Sequence, residues 1–182
     1  ELKKFDTIKS LIMKKPDYIV IAVSSKGIEW VCDQLIKNYK NKYSIILLTK
    51  GLMKHKQKII TISNKINLAF KKRGFPNQDI SAVKGPCLAK GLINKVRTST
   101  VIANKNKKSA IKLSKLISTS YYNTEISNDI NGVEAMGAIK NIYAMLIGAS
   151  IGLNGEKLSK KIRIKYYHNT ASTLYKNALS EM

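Results

Sequence analysis

Apolar positions along this chain follow two alternating rhythms. Tyr18-Ile19-Val20-Ile21-Ala22-Val23 and Tyr43-Ser44-Ile45-Ile46-Leu47-Leu48 are short, nearly continuous apolar runs of the length expected for parallel strands buried on both faces. Between them Ile28, Val31, Cys32, Leu35, Ile36 and Tyr39 recur at steps of three and four, the stripe of a helix that covers a sheet. Phe5, Ile8, Leu11 and Ile12 keep the same helical period up to Pro16-Asp17, so the chain is expected to open inside a helix. After the second apolar run comes the polar turn Thr49-Lys50-Gly51, then a helix marked by Ile59, Ile62, Ile66 and Phe70 and stopped by Arg73-Gly74-Phe75-Pro76. A strand near Ile80 to Val83, the turn Lys84-Gly85-Pro86-Cys87 and a short helix to about Leu92 follow. A strand from Ser99 to Ala103, a helix carrying Ala110, Leu113, Leu116 and Ile117, and a strand from about Tyr121 to Ile126 complete the series. Alternating strand and helix predict an α/β fold, a mainly parallel Rossmann-like sheet with helices on both faces.

Beyond Asn128 the rhythm becomes helical only, which places a domain boundary there: 1–127 as a partial α/β domain and 128–182 as the start of an all-helical one. The stretch from Asn131 to Gly148 is apolar or small on nearly every side and is therefore predicted to lie inside the protein. Gly152-Leu153-Asn154-Gly155 ends it, Lys157 to Lys165 reads as a basic connector, and Ala171, Leu174, Tyr175, Ala178, Leu179 and Met182 form a last amphipathic stripe. Set into the apolar stretch is one ammonium, Lys140. A buried lysine is costly unless it is paired or its pKa is depressed, and both conditions suit acid-base chemistry. A stem lying over apolar surface with its head in water explains the same residue equally well. Glu134, six residues earlier, falls on a different face of the helix and reads as a packing or capping group.

Composition narrows the partners. The 33 Lys and Arg against 11 Asp and Glu give a formal charge of +22, which suits a phosphate backbone. Arginine, however, occurs only at Arg73, Arg97 and Arg163, and the lysines are scattered over every helix, so a generic basic surface is expected rather than nucleic-acid recognition. Cys32 and Cys87 sit in apolar contexts with no metal-ligand spacing, and neither a disulfide framework nor a metal site is expected. His55 and His168 adjoin no triad pattern. No apolar run reaches the roughly 20 residues of a membrane span and no leader pattern opens the chain, so a soluble, cytoplasmic protein is expected. There is no G-x-G, the turn that lets a backbone approach a dinucleotide pyrophosphate. Either no dinucleotide binds or the first βα unit lies upstream of Glu1, and a start within a helix favours the second.

Three segments, in order, carry a family resemblance: Thr49-Lys50-Gly51-Leu52, Lys84-Gly85-Pro86-Cys87-Leu88-Ala89, and Gly132-Val133-Glu134-Ala135-Met136-Gly137-Ala138-Ile139-Lys140-Asn141. Together with Asp17 to Ser25 and Ala178-Leu179-Ser180-Glu181-Met182, the chain resembles NAD(P)-dependent glycerol-3-phosphate dehydrogenase over essentially its whole length. The third segment is the specific one, because it places a charge among small residues over ten positions. The resemblance implies hydride transfer between NAD or NADP and glycerol 3-phosphate or dihydroxyacetone phosphate, in the supply of phospholipid precursors. It implies that Lys140 is the catalytic acid and base, and that Lys50 contacts both substrate and cofactor. Gly85, Cys87 and Asn141 would contact substrate, and Ala89, Ser24 and Ser25 the cofactor. A homodimer is compatible with it.

The chain also departs from the family pattern. Cys87 stands where a serine is usual, replacing a hydroxyl donor by a weaker thiol. Lys84 replaces another serine, adding a charge that would either attract phosphate or lie on the surface, and Ser24 replaces a proline. The family's glycine loop and its later S-R-N segment are not found, so the chain is expected to be an internal fragment. Three alternatives stand beside the dehydrogenase reading: a non-catalytic remnant or binding module of that fold, another β-hydroxyacid-type dehydrogenase, and a basic nucleic-acid binder.

Overall fold

The computed structural model describes Lys9, Ile12 and residues 15–39, 42–155 and 168–181. Phe5, Ile8 and Leu11 of the expected first helix, the connector Lys157 to Lys165, and Met182 lie outside the described residues. Strand β1 (Tyr18–Ile21) leads through a 3-10 turn at Ser25–Gly27 into α1 (Ile28–Lys37) and β2 (Ser44–Leu47). A hairpin of β3 (Leu52–His55) and β4 (Lys58–Thr61) precedes α2 (Ile62–Lys72). Then come β5 (Ile80–Lys84), the short α3 (Ala89–Ile93), β6 (Thr98–Ala103), α4 (Lys107–Ile117), β7 (Tyr122–Ser127), the long α5 (Ile130–Gly155) and α6 (His168–Glu181).

The five-stranded sheet has the order β1-β2-β5-β6-β7, and only the β5–β6 pair is antiparallel. Alternating side chains send Ile45, Leu47 and Ala82 to one face, where they meet Ile28, Leu35, Ile62, Ile66 and Phe70 of α1 and α2. Ile46, Val83 and Ile102 face the other way and pack on Ala110 and Leu113 of α4. The mainly parallel sheet covered on both faces is therefore observed. Among the described residues β1 stands at one end of the strand order, and Val20 on it is 55% exposed.

The helix expected from Ile59 onward is corrected. Ile59 belongs to β4, opposite Lys54, and is exposed; the helix starts at Ile62. Its spacing to Ile62 imitates a helical step, whereas the hairpin turns on Lys56 at φ 54 without the glycine that would have announced it.

The chain falls into two compact units, Glu1–Gly137 and Ala138–Met182, so that α5 begins in the first and continues in the second. In the second unit Ala171 and Ala178, seven residues apart on α6, are buried, while Tyr175 and Leu179 of the same predicted stripe are exposed. The prediction that residues 131–148 lie inside holds only for the start of α5. Ile130 and Glu134 are buried, but Ile142, Met145 and Leu146 are exposed. An apolar helix is covered only if elements surround it, and the described part of the second unit contains only α6 besides. By length and composition Ile130–Gly152 would also suffice to cross a membrane, a property that Glu134 and Lys140 conceal in an unbroken-run reading of the sequence.

Candidate functional site

Parallel strands end on a common edge, where their connecting turns bring polar groups together. Here β1, β2 and β5 run parallel and adjacent, so the turns after Ile21, Leu47 and Lys84 share that edge. Ser24 and Ser25 follow β1, Thr49-Lys50-Gly51 follows β2, and Lys84-Gly85-Pro86-Cys87 closes β5 and leads into α3 at Ala89.

The β2 turn is held from its neighbours. The Thr49 hydroxyl donates to the Val23 carbonyl at 2.7 Å and lies 3.4 Å from that of Ile21, and the Leu48 amide donates to the Ile21 carbonyl at 2.9 Å. Thr49 is buried, whereas Lys50 beside it is exposed. Gly51 follows at φ +124, a conformation that a side chain would strain, and the position of its absent Cβ is 3.6 Å from Ser25 Cβ. Ser25 is half-buried and Ser24 exposed. An exposed lysine on a turn whose glycine lies against Ser25 and allows close backbone approach can meet an anionic group such as a phosphate.

Gly85 is required by close approach of another kind. A Cβ there would lie 2.9 Å from Thr100 Cα and 3.0 Å from the Ser99 carbonyl oxygen of β6. Cys87 is half-buried and Ala89 exposed.

Lys84 is the residue whose environment the sequence misjudged. It is only 5% exposed, neither at the surface nor open to solution phosphate. Its Nζ donates to the carbonyls of Leu47, at 3.3 Å, and of Thr49. Burial pulls this ammonium down to about 8, against the attraction of Glu134 and with the repulsion of Lys50. Its stem runs along Gly137, where a Cβ would lie 3.2 Å from Lys84 Cγ and Cδ.

Glu134, 1% exposed, caps a helix other than its own. Its carboxylate accepts from the Ile62 amide at 3.1 Å and the Ser63 amide at 3.2 Å, satisfying orphan donors at the N-terminus of α2. Burial pushes its carboxyl up; hydrogen bonds from Ser63 and the charge of Lys84 oppose that. The capping role expected for Glu134 is thus observed. Asn131 adds a second tie, accepting at Oδ1 from the Thr61 hydroxyl at 3.1 Å and from Asn64 Nδ2 at 3.0 Å. The glycine-rich motif therefore does structural work at its start: Glu134 caps α2, and Gly137 leaves room for the Lys84 stem.

The first unit thus gathers Ser24, Ser25, Lys50 and Gly85 along one sheet edge, with Cys87 and Ala89 on the chain leading from it. Lys140 and Asn141 belong to the second unit, Lys140 half-buried and Asn141 exposed on α5.

Comparison with known proteins follows from this geometry. A family model described as NAD-dependent glycerol-3-phosphate dehydrogenase N-terminus matches residues 6–110. A glycerol-3-phosphate dehydrogenase [NAD(P)+] of Clostridium botulinum is 29% identical over 181 residues, covering 100% of this chain and 49% of its own length. The chloroplastic glycerol-3-phosphate dehydrogenase [NAD(+)] 2 of Arabidopsis thaliana is 34% identical over 142 residues, covering 76% of this chain and 32% of its own. Among solved structures, glycerol-3-phosphate dehydrogenase from Coxiella burnetii superposes with a TM-score of 0.70 at 23% identity, over 96% of this chain and 47% of that one, a likeness of fold. The chain spans about half the length of the curated bacterial relative it matches.

Proposed function

The chain belongs to the NAD-dependent glycerol-3-phosphate dehydrogenase family, and from that premise we propose that the protein carrying it interconverts glycerol 3-phosphate and dihydroxyacetone phosphate with NAD or NADP. The observation that supports this most is the carboxyl edge of β1, β2 and β5, where Ser24, Ser25, Lys50 and Gly85 come together from three separate turns. When bound, the nicotinamide supplies or accepts the hydride. The rest falls to side chains of this chain.

Lys50 binds anionic phosphate oxygens and the adjoining cofactor, and Ser24, Ser25 and Ala89 line the cofactor. Gly85 and Cys87 contact the substrate. Lys140 takes the proton of the C2 hydroxyl in oxidation and returns it to the carbonyl oxygen in reduction, with Asn141 as its polar neighbour. Positioned acid-base groups of this kind contribute about 10²- to 10⁴-fold to rate. On this reading the first unit is the cofactor-binding part, the second opens the substrate domain, and the protein works in the cytoplasm as a possible homodimer supplying phospholipid precursors. α5 is then an enzyme core helix; the engagement of Glu134 with α2 supports that over a membrane span.

The test is oxidation of NADH or NADPH by the full-length protein on addition of dihydroxyacetone phosphate. Turnover is expected. Inactivity with both cofactors, despite saturable cofactor binding in calorimetry, would reject the substrate assignment.

A further inference from the structure

A buried lysine at the end of an apolar strand needs a reason. Continuum reasoning and experiment agree that a buried charge pair often costs more in desolvation than it returns, so a neutral residue would serve stability at least as well. The ammonium of Lys84 does make one arrangement that a neutral side chain cannot. It holds two carbonyls at the end of β2, those of Leu47 and Thr49, from the end of the neighbouring strand β5. On its other side Thr49 is held to β1, its hydroxyl donating to the Val23 carbonyl at 2.7 Å. The residue between this double clamp and the positive-φ Gly51 is Lys50.

We propose that Lys84 is a positioning residue for Lys50: by gripping the Leu47 and Thr49 carbonyls it fixes the backbone from which Lys50 meets an anionic phosphate, and it does so only while protonated. A neutral amine keeps two N–H donors, but both contacts lose the charge-assisted strength that lets the ammonium grip the two carbonyls. The inference rests on the reading of Lys50 as the phosphate contact.

The charged groups that bear on Lys84 are Glu134 from α5, which favours the ammonium, and Lys50 from the turn, which opposes it. From β2 it meets carbonyls, and its partner in register on β6 is the neutral Val101. Gly137 accommodates the stem and Glu134 supplies the counter-charge, so two residues of the α5 motif support a contact made 35 residues back along the chain from Lys84, at Thr49. The grip is expected to loosen as pH rises through about 8, where burial places the ammonium.

Two measurements test this. The first compares wild type with Lys84→Met, which keeps an apolar stem of similar length. In wild type, kcat/KM for dihydroxyacetone phosphate should fall above about pH 8 through a rise in KM. The variant should lose that limb and show KM raised roughly tenfold at pH 7 with kcat little changed, the pattern of weakened binding. An unchanged KM together with the same alkaline limb overturns the proposal.

The second measurement needs neither the variant nor activity. Hydrogen exchange at the Leu48 and Thr49 amides of wild type, corrected for intrinsic rate, should lose protection by roughly tenfold between pH 7 and pH 9.5 while the Ile45 amide in the middle of β2 does not. Unchanged protection at Leu48 and Thr49 overturns the proposal even if Lys84→Met does not fold. Inactivity with dihydroxyacetone phosphate alongside pH-dependent protection rejects the substrate assignment and leaves the clamp standing.

Discussion

Residues 130–137 and 138–152 form one helix of similar apolar composition, yet their surroundings differ sharply. The first part carries Ile130 and Glu134, both buried, with Glu134 satisfying two amides of α2. The second leaves Ile142, Met145 and Leu146 exposed. Composition cannot tell these halves apart, because burial depends on which elements lie against a helix. A charged group set among small residues discriminates better: Glu134 is buried because it completes another helix, and its placement ties the start of α5 to α2.

The comparison breaks if Glu134 proves dispensable. Glu134→Leu removes the cap on α2 and leaves the Lys84 ammonium buried without its counter-charge. A loss of about 3–5 kcal/mol is expected in chemical denaturation of the full-length protein. In the 182-residue chain, where Met145 is exposed, Met145→Ser should change stability by less than about 0.5 kcal/mol. Equal losses at the two positions would show that the halves are held alike.

Acid-base titration sharpens the contrast next. The folded pKa of Lys84 lies below its ordinary value of 10.5, at about 8. The unfolded chain therefore binds the extra proton between these values, and the stability associated with neutral Lys84 is present above about 10.5 and lost as pH falls through 8. Burial raises the Cys32 thiol to about 11 and also raises Tyr43, and both act in the opposite direction at alkaline pH. The difference between wild type and Lys84→Met cancels them. Wild type should gain up to roughly 3 kcal/mol relative to the variant between pH 8 and pH 10.5. A flat difference would mean that Lys84 is not desolvated.

A smaller loss than that at Glu134 concerns the sheet edge itself. Gly85→Ala places a methyl 2.9 Å from Thr100 Cα, against backbone that cannot swing away. A loss of about 1–3 kcal/mol is expected, read as a lowered Tm. An unchanged Tm would show that β6 yields at this point.

Much of the first unit was legible because its signals are local. Continuous apolar runs became β1, β2 and β5, three- and four-residue stripes became α1, α2 and α4, and polar turns at strand ends became the candidate edge. The β3–β4 hairpin was hidden: Ile59 sits one helical step from Ile62, and Lys56 adopts a positive φ that sequence assigns to glycine or asparagine. Lys84 was misread for a different reason. Five consecutive buried residues, Ile80 to Lys84, include a charge whose partners are carbonyls 35 and 37 positions away, and no local pattern announces a contact of that range.

The most direct test of the functional account is the rate of NADH or NADPH oxidation by the full-length protein with saturating dihydroxyacetone phosphate, compared with Lys140→Ala under the same conditions. Loss of an acid-base group predicts a fall in kcat of about 10²- to 10⁴-fold with cofactor binding retained in calorimetry. A variant that turns over at the wild-type rate would contradict the assignment of Lys140 as the proton donor and acceptor.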